Sequence, residues 1–381
     1  MATSRRNGVK TGVTLLKDEN EAAADLFDQI AQPGMHTVLF FCSPKYDADS
    51  LGSALKKNFS CKLLGCTTAG EISSQGYVEG GIVAVSFAGA HLKIHSYGIH
   101  RLSGFTLQDA REIADSMRNE LVFSDEFDPK NLFGMLLIDG LSFLEEQVIS
   151  YIHSAFQPVS IVGGSAADGF NLQETKVCID GEFMSDAAVL ILVETTAPFA
   201  VFKTQHLEPT DQKMVVTRTD PARRVVCEIN AEPAAEEYAR ILGIPASELG
   251  PAVFSQNPVM IRIADSWQVR SIKSVNPDKS LSFHCAIDAG LVLTLAKGFD
   301  IITNLKNEIR RLLKIIPDPR LVIAFDCAFR RLEILDNGLG GQFARLMKDI
   351  RLVGFNTYGE QFNSVHVNQT LVGVVIGGED E

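Results

Sequence analysis

Most of the signatures that announce a chemistry are missing from this sequence. Its 381 residues contain no Gly-x-Ser-x-Gly, His-Glu-x-x-His or Cys-x-x-Cys, and no phosphate-binding or EF-hand loop, so the common hydrolase, zinc and nucleotide readings lose support. Excess positive charge is missing too. A net charge of -12 argues against a broad phosphate-binding surface and nucleic-acid binding, which draw affinity from clustered Lys and Arg. Long apolar runs are also lacking. The longest, Ala187 to Val193, is far short of the roughly 20 residues a bilayer-spanning helix needs, so no membrane insertion is expected. The N-terminus, with Arg5 and Arg6, has no apolar stretch suited to a signal peptide. Cysteine is neither dense nor paired: seven are scattered, mostly in apolar runs, which reads as buried thiols in a reducing, cytoplasmic setting.

What is present is a core-forming chain. With 46% hydrophobic residues over this length, two packed domains are expected. Apolar strand patterns alternate with amphipathic helical ones through the first half. Helices are predicted over Glu21–Ala31, Ser50–Asn58, Thr106–Leu121 and Phe143–Phe156, and strands over 36–42, 62–66, 81–87 and 90–97, the last two as a hairpin turning at Ala88-Gly89. From Val159 to Thr219 successive β segments predict one mostly antiparallel sheet. The second half has a helix at Pro233–Leu242, several strands, and a long helix over Asp300–Ile315 whose Lys306, Arg310, Arg311 and Lys314 read as a solvated face. There is no solenoid-type repeat or low-complexity segment. Gly338-Leu339-Gly340-Gly341 reads as a turn or helix start. His91 and His95, on a strand pattern, lie roughly 13 Å apart at about 3.3 Å per residue and read as a solvated face. The fold class is α/β (α+β), two domains with mostly antiparallel sheets flanked by helices. The expected division is an arm and first helix (1–33), a first domain (34–220) and a second (221–381).

Three segments concentrate polar function. In the first, Leu64-Gly65-Cys66-Thr67-Thr68-Ala69-Gly70-Glu71-Ile72, a strand runs into small residues that allow close backbone approach to a ligand or a neighbouring domain; a tight packing corner is the alternative. The second, Val162-Gly163-Gly164-Ser165-Ala166-Ala167-Asp168, is of the same kind. The third runs from Gly354 to Thr370 and includes Tyr358, Glu360, Gln361, His366 and Asn368. Neutral hydrogen-bonding side chains so dense in an apolar context suit a pocket lining, although a core histidine satisfied by a backbone carbonyl remains open.

Together these segments resemble the N- and C-terminal FIST domains over about Gly34 to Gly378, in order and spacing. The resemblance implies a bacterial sensory input module, not an enzyme. It is densest with a haem-containing, nitric-oxide-sensing branch that regulates a partner histidine kinase and biofilm behaviour. It therefore implies non-covalent haem b, since no attachment motif is present, with His366 as axial iron ligand and His284, in Phe283-His284-Cys285, second. Cys66, Thr67, Gly70, Glu71, Tyr358, Glu360, Gln361 and Asn368 would line the ligand pocket. A haem-free amino-acid sensor is the rival reading. An enzyme with Cys66 or Cys327 as nucleophile and His366 or His284 as base is a third. Self-association is left open.

Overall fold

The computed structural model describes residues 8–89, 91–121, 129–263, 266–348 and 350–378. Most of the N-terminal arm (1–7) and Ala90 lie outside them. Among the described residues are nine α-helices and 26 strands in a mixed α/β fold whose sheets are mostly antiparallel. No helix among the described residues is long and apolar enough to cross a membrane.

Three six-stranded sheets share one plan. The first runs Val9–Thr14, Ile82–Ala88, Met35–Cys42, Lys62–Thr67, Val177–Ile179, Glu182–Met184. The second runs Leu92–His100, Ala187–Thr195, Leu132–Ile138, Ser160–Ser165, Glu360–Phe362, Val365–Val367, and the third Phe199–Thr204, Leu371–Gly377, Pro319–Cys327, Leu352–Thr357, Glu71–Ser73, Gly76–Val78. In each, only the central pair is parallel, and helices cross over between its strands. In each, the last two strands are a hairpin lent by another repeat: the first repeat completes the third sheet, the second the first, and the third the second. The chain is thus a threefold repeat closed in a ring.

The packing follows from the strand period of two. Leu39, Phe41, Met135, Leu137, Ile323 and Phe325 point inward to one core shared by the three sheets. Their neighbours Val38 and Phe40, Leu136 and Ile138, and Val322 and Ala324 point outward beneath helices. Both faces are buried, so these strands read as continuous apolar runs rather than alternating ones. The helices start where the sequence supplies caps: Asp18, Asp47 and Asp300 accept backbone N–H groups, and Thr106 with Asp109 forms a capping box.

Three glycines hold equivalent places on the inner parallel strands. A Cβ on Gly65 would lie 2.3 Å from the Phe40 carbonyl oxygen, on Gly163 2.2 Å from that of Leu136, and on Gly354 2.0 Å from that of Ala324. Close strand approach, not ligand access, demands glycine there.

A fourth, eight-stranded sheet (207–298) is inserted into the third repeat between Phe199–Thr204 and the helix Ile301–Ile315. Its core, built around Met214, Val226, Tyr238, Phe254 and Phe283, extends to Cys327 and Phe329 of the third repeat.

Several expectations need correction. Ile82–Ala88 and Leu92–His100 do not form a hairpin: the first pairs within the first sheet and the second with Ala187–Thr195. The β segments of 159–219 are dealt out to all four sheets, because the lent hairpin and the insertion interrupt the second and third repeats. The histidine face is only partly solvated: His91 is exposed, but the His95 side chain is 13% exposed and lies 3.4 Å from Glu194. The Gly-rich turn does open a helix, Gly340–Met347.

Candidate functional site

Where the three repeats meet, their equivalent loops interlock. The Ala69 N–H donates to the Asn356 carbonyl at 2.9 Å, the Ala167 N–H to that of Thr67 at 2.9 Å, and the Tyr358 N–H to that of Ser165 at 3.4 Å. The three segments singled out in the sequence are therefore the same loop three times. Ala69, Ala167 and Tyr358 hold matching positions and pack together with Ala328. One aromatic ring among alanines breaks the symmetry.

The other elements of the loop are repeated too. In the first repeat the Thr68 hydroxyl donates to Glu71 Oε1 at 2.5 Å and the Gly81 N–H to Oε2 at 3.3 Å. In the third, the Thr357 hydroxyl donates to Glu360 Oε1, while the Thr370 hydroxyl and N–H donate to Oε2 at 2.7 and 3.1 Å. Both carboxyls are fully buried. Burial lifts Glu71 to about 7 and Glu360 to about 8, against the hydrogen bonds that favour the anion. The second repeat replaces this glutamate by Val177 and instead offers Asp168. Its carboxylate accepts the Tyr358 O–H and the N–H groups of Leu172, Gln173 and Glu174 at 2.8–2.9 Å. Burial works to raise the Asp168 pKa, but these donors hold it below the usual range.

The inserted sheet covers this asymmetric corner and leaves a small open cleft. Phe170, Leu172 and Tyr358 form one wall, Cys327 and Phe329 the floor, and Ser271, Lys273 and His284 the inserted-sheet side. His284 packs edge-on against Phe329, with ring centroids 5.6 Å apart, and lies 5.9 Å from Tyr358. Burial, then the charges of Lys273 and Arg224, push its pKa down to about 3, so the imidazole is neutral. Lys273 is half-buried, 5.6 Å from the Phe143 ring centroid, and burial lowers its pKa.

Behind the cleft, Arg224 ties the insertion to the second repeat. Its guanidinium binds Glu145 at 2.6 Å and also Glu146, and donates to the His284 carbonyl at 2.8 Å. The Ala286 N–H donates to Glu146 at 3.0 Å.

The residues singled out from sequence fall into two groups. His284 and Tyr358 line the cleft, as does Cys327. The others sit outside its lining. Cys66 is in the central core, and Thr67 exchanges hydrogen bonds with the Lys176 backbone. Gly70, at φ 133, lies against the Arg331 guanidinium. Gln361 donates to Ser165 Oγ at 2.9 Å, and Asn368 accepts the Ser271 N–H at 3.4 Å. His366 is 2% exposed, with Nδ1 3.3 Å from Gln361 Nε2. Its burial pushes the pKa down to about 4. A Cβ on Gly359 would lie 2.2 Å from its Cε1 and 2.5 Å from its Nε2, so the backbone is pressed against that edge of the ring. Among the described residues no three His, Cys, Asp or Glu side chains are grouped to hold a metal ion. Ser271, Lys273, Phe170 and Phe329 escaped the sequence reading; only Phe170, closing the Gly-rich second segment, lay near a signal.

Residues 36–232 match the family model of the FIST N domain, and residues 234–363 that of the FIST C domain. No curated protein matches the chain. The boundary between the two matches falls inside the inserted sheet, at the strand Glu232–Pro233.

Proposed function

Since the chain belongs to the FIST family, we propose that it is a non-catalytic sensor whose small ligand enters the cleft between the interlocked loops and the inserted sheet. The observation that carries this reading is the cleft itself, lined by residues of both of the family's domains. A ligand touching both sides changes their relative free energies, and a sensor needs only that difference. His284 lines the cleft while its carbonyl holds Arg224, so occupancy is coupled to the ion pair joining the insertion to the second repeat. The reader of that change would be a partner histidine kinase.

The resemblance adds haem b and nitric oxide. His366 fits poorly as an axial ligand, because Gly359 crowds its free nitrogen and it does not line the cleft. His284 meets the donor requirement, being neutral, aromatic-flanked and on the cleft wall. Haem bound there would supply an iron centre for a diatomic gas. The rival, an amino-acid ligand, uses the same cleft.

Two measurements test the proposal. Protein produced with iron and haem precursor is reduced and exposed to nitric oxide, beside His284→Ala and His366→Ala variants. Haem-free protein is melted with each common amino acid, where a ligand at 100 times its Kd adds about 2.7 kcal/mol of stability. A Soret band lost in one variant identifies the iron ligand, and a melting shift identifies the rival ligand. A colourless protein that refuses haem and is stabilised neither by amino acids nor by any other small ligand tried, carboxylates included, refutes the sensor reading.

A further inference from the structure

Accepting the cleft as the ligand site, we infer that it recognises a small planar monocarboxylate, with the carboxylate on Lys273 and Ser271 and the apolar ring against Phe170 and Phe329. Ser271 is 1% exposed, lines the cleft, and its Oγ has no hydrogen-bond partner. Its backbone is fixed on both sides, the N–H on Asn368 and the carbonyl on the His284 N–H at 3.0 Å. A buried hydroxyl left unpaired is costly, so a ligand oxygen that accepts from it restores what folding forfeits. Lys273, two residues on along the chain, also lines the cleft. Its ammonium faces the Phe143 ring and has no carboxylate within 4 Å among the described residues. Burial makes such a cation a strong partner for an incoming anion.

The same inventory argues against a zwitterion. Every carboxylate near the cleft is already engaged: Asp168 by Tyr358 and three backbone N–H groups, and Glu145 and Glu146 by Arg224. A ligand ammonium would meet neutral His284 and the cation Lys273 on the cleft lining. The opposite wall calls for a flat apolar body. The Phe170 and Phe329 rings are 13° from parallel with centroids 6.3 Å apart, and Phe170 is 46% exposed, which leaves an aromatic face open for stacking.

Full-length protein is titrated calorimetrically at pH 7 with benzoate, 3-phenylpropionate, L-phenylalanine and phenethylamine. Lys273→Met and the exposed-site variant Phe170→Leu are titrated in parallel, with circular dichroism confirming their folds. The carboxylates bind and phenethylamine does not; Lys273→Met weakens binding at least tenfold and Phe170→Leu severalfold. Phenylalanine binding tighter than 3-phenylpropionate would overturn the anion-only class while leaving the small-ligand reading standing. Carboxylate binding that neither variant alters would place the site elsewhere and overturn the assignment. Failure of all four probes overturns the ligand class, whereas the sensor reading itself then rests on the haem and amino-acid measurements.

Discussion

Replacing Glu360 by Gln removes one ionisation from the interior and changes little else. The carboxyl is fully buried, and burial raises its pKa from 4.5 to about 8. Between those values the folded chain keeps a proton that the unfolded chain has released. Stability from this group is therefore complete below pH 4.5, declines as pH rises, and is gone above about pH 8. At about 1.36 kcal/mol per pH unit, that interval is worth on the order of 5 kcal/mol. Gln is neutral throughout. Its carbonyl oxygen can accept the Thr370 N–H and hydroxyl, and its amide can donate to the Thr357 hydroxyl, which turns to accept. The assay is urea unfolding of both proteins at pH 5, 6.5 and 8.5; groups common to both cancel in the difference. The variant should match the parent within about 1 kcal/mol at pH 5, inside the usual spread for a conservative change, and exceed it by several kcal/mol at pH 8.5. Parallel curves would show that Glu360 is already ionised in the folded protein and would refute the reasoning.

Arg224→Ala strands Glu145 and Glu146 and should destabilise the protein by about 3–5 kcal/mol, read as a lower urea midpoint; a change under about 1 kcal/mol would mean the pair is solvent-screened. Gly354→Ala drives a methyl into the Ala324 carbonyl and should cost about 1–3 kcal/mol, with Gly65→Ala and Gly163→Ala behaving alike in thermal melts because their contacts are alike. Brief iodoacetamide treatment at pH 7.5, mapped by mass spectrometry, should label the half-buried Cys61 and Cys227 and spare Cys66 and Cys327, whose thiols burial pushes far up; fast, selective labelling of Cys327 would instead revive a nucleophilic role.

Elements were more legible in the sequence than their partners. The helices at Thr106 and Asp300 announced themselves by amphipathic period, and the apolar strands by composition. Pairing was another matter. Val177–Ile179 and Glu360–Phe362 look like ordinary hairpin strands, yet each finishes a sheet belonging to another repeat, and no local pattern records that. The repeat itself stayed hidden because its units are diluted: Val177 replaces the glutamate in the second, and 92 residues (207–298) interrupt the third. The three loops were visible through their small residues, and the packing-corner alternative for Gly65 was the physical one. His284 and Tyr358 were legible in the cleft; Ser271 and Lys273 were not, since an isolated Ser and Lys on a strand pattern carry no signal until the fold brings them opposite Phe170.

The inserted sheet leaves and rejoins the third repeat at neighbouring points. Leu207 pairs with Gly298, the Phe299 N–H donates to the His206 carbonyl at 2.9 Å, and His206 is held at 2.9 Å by Glu333 and at 3.0 Å by Arg330. The two adjoining strands thus anchor the insertion at its root, Arg224 ties it to the second repeat, and Asn368 and Gln369 tie it to the end of the third. A molecule wedged in the cleft would press on a part joined to all of these points, so its presence would be felt at the junctions between repeats as well as at the cleft.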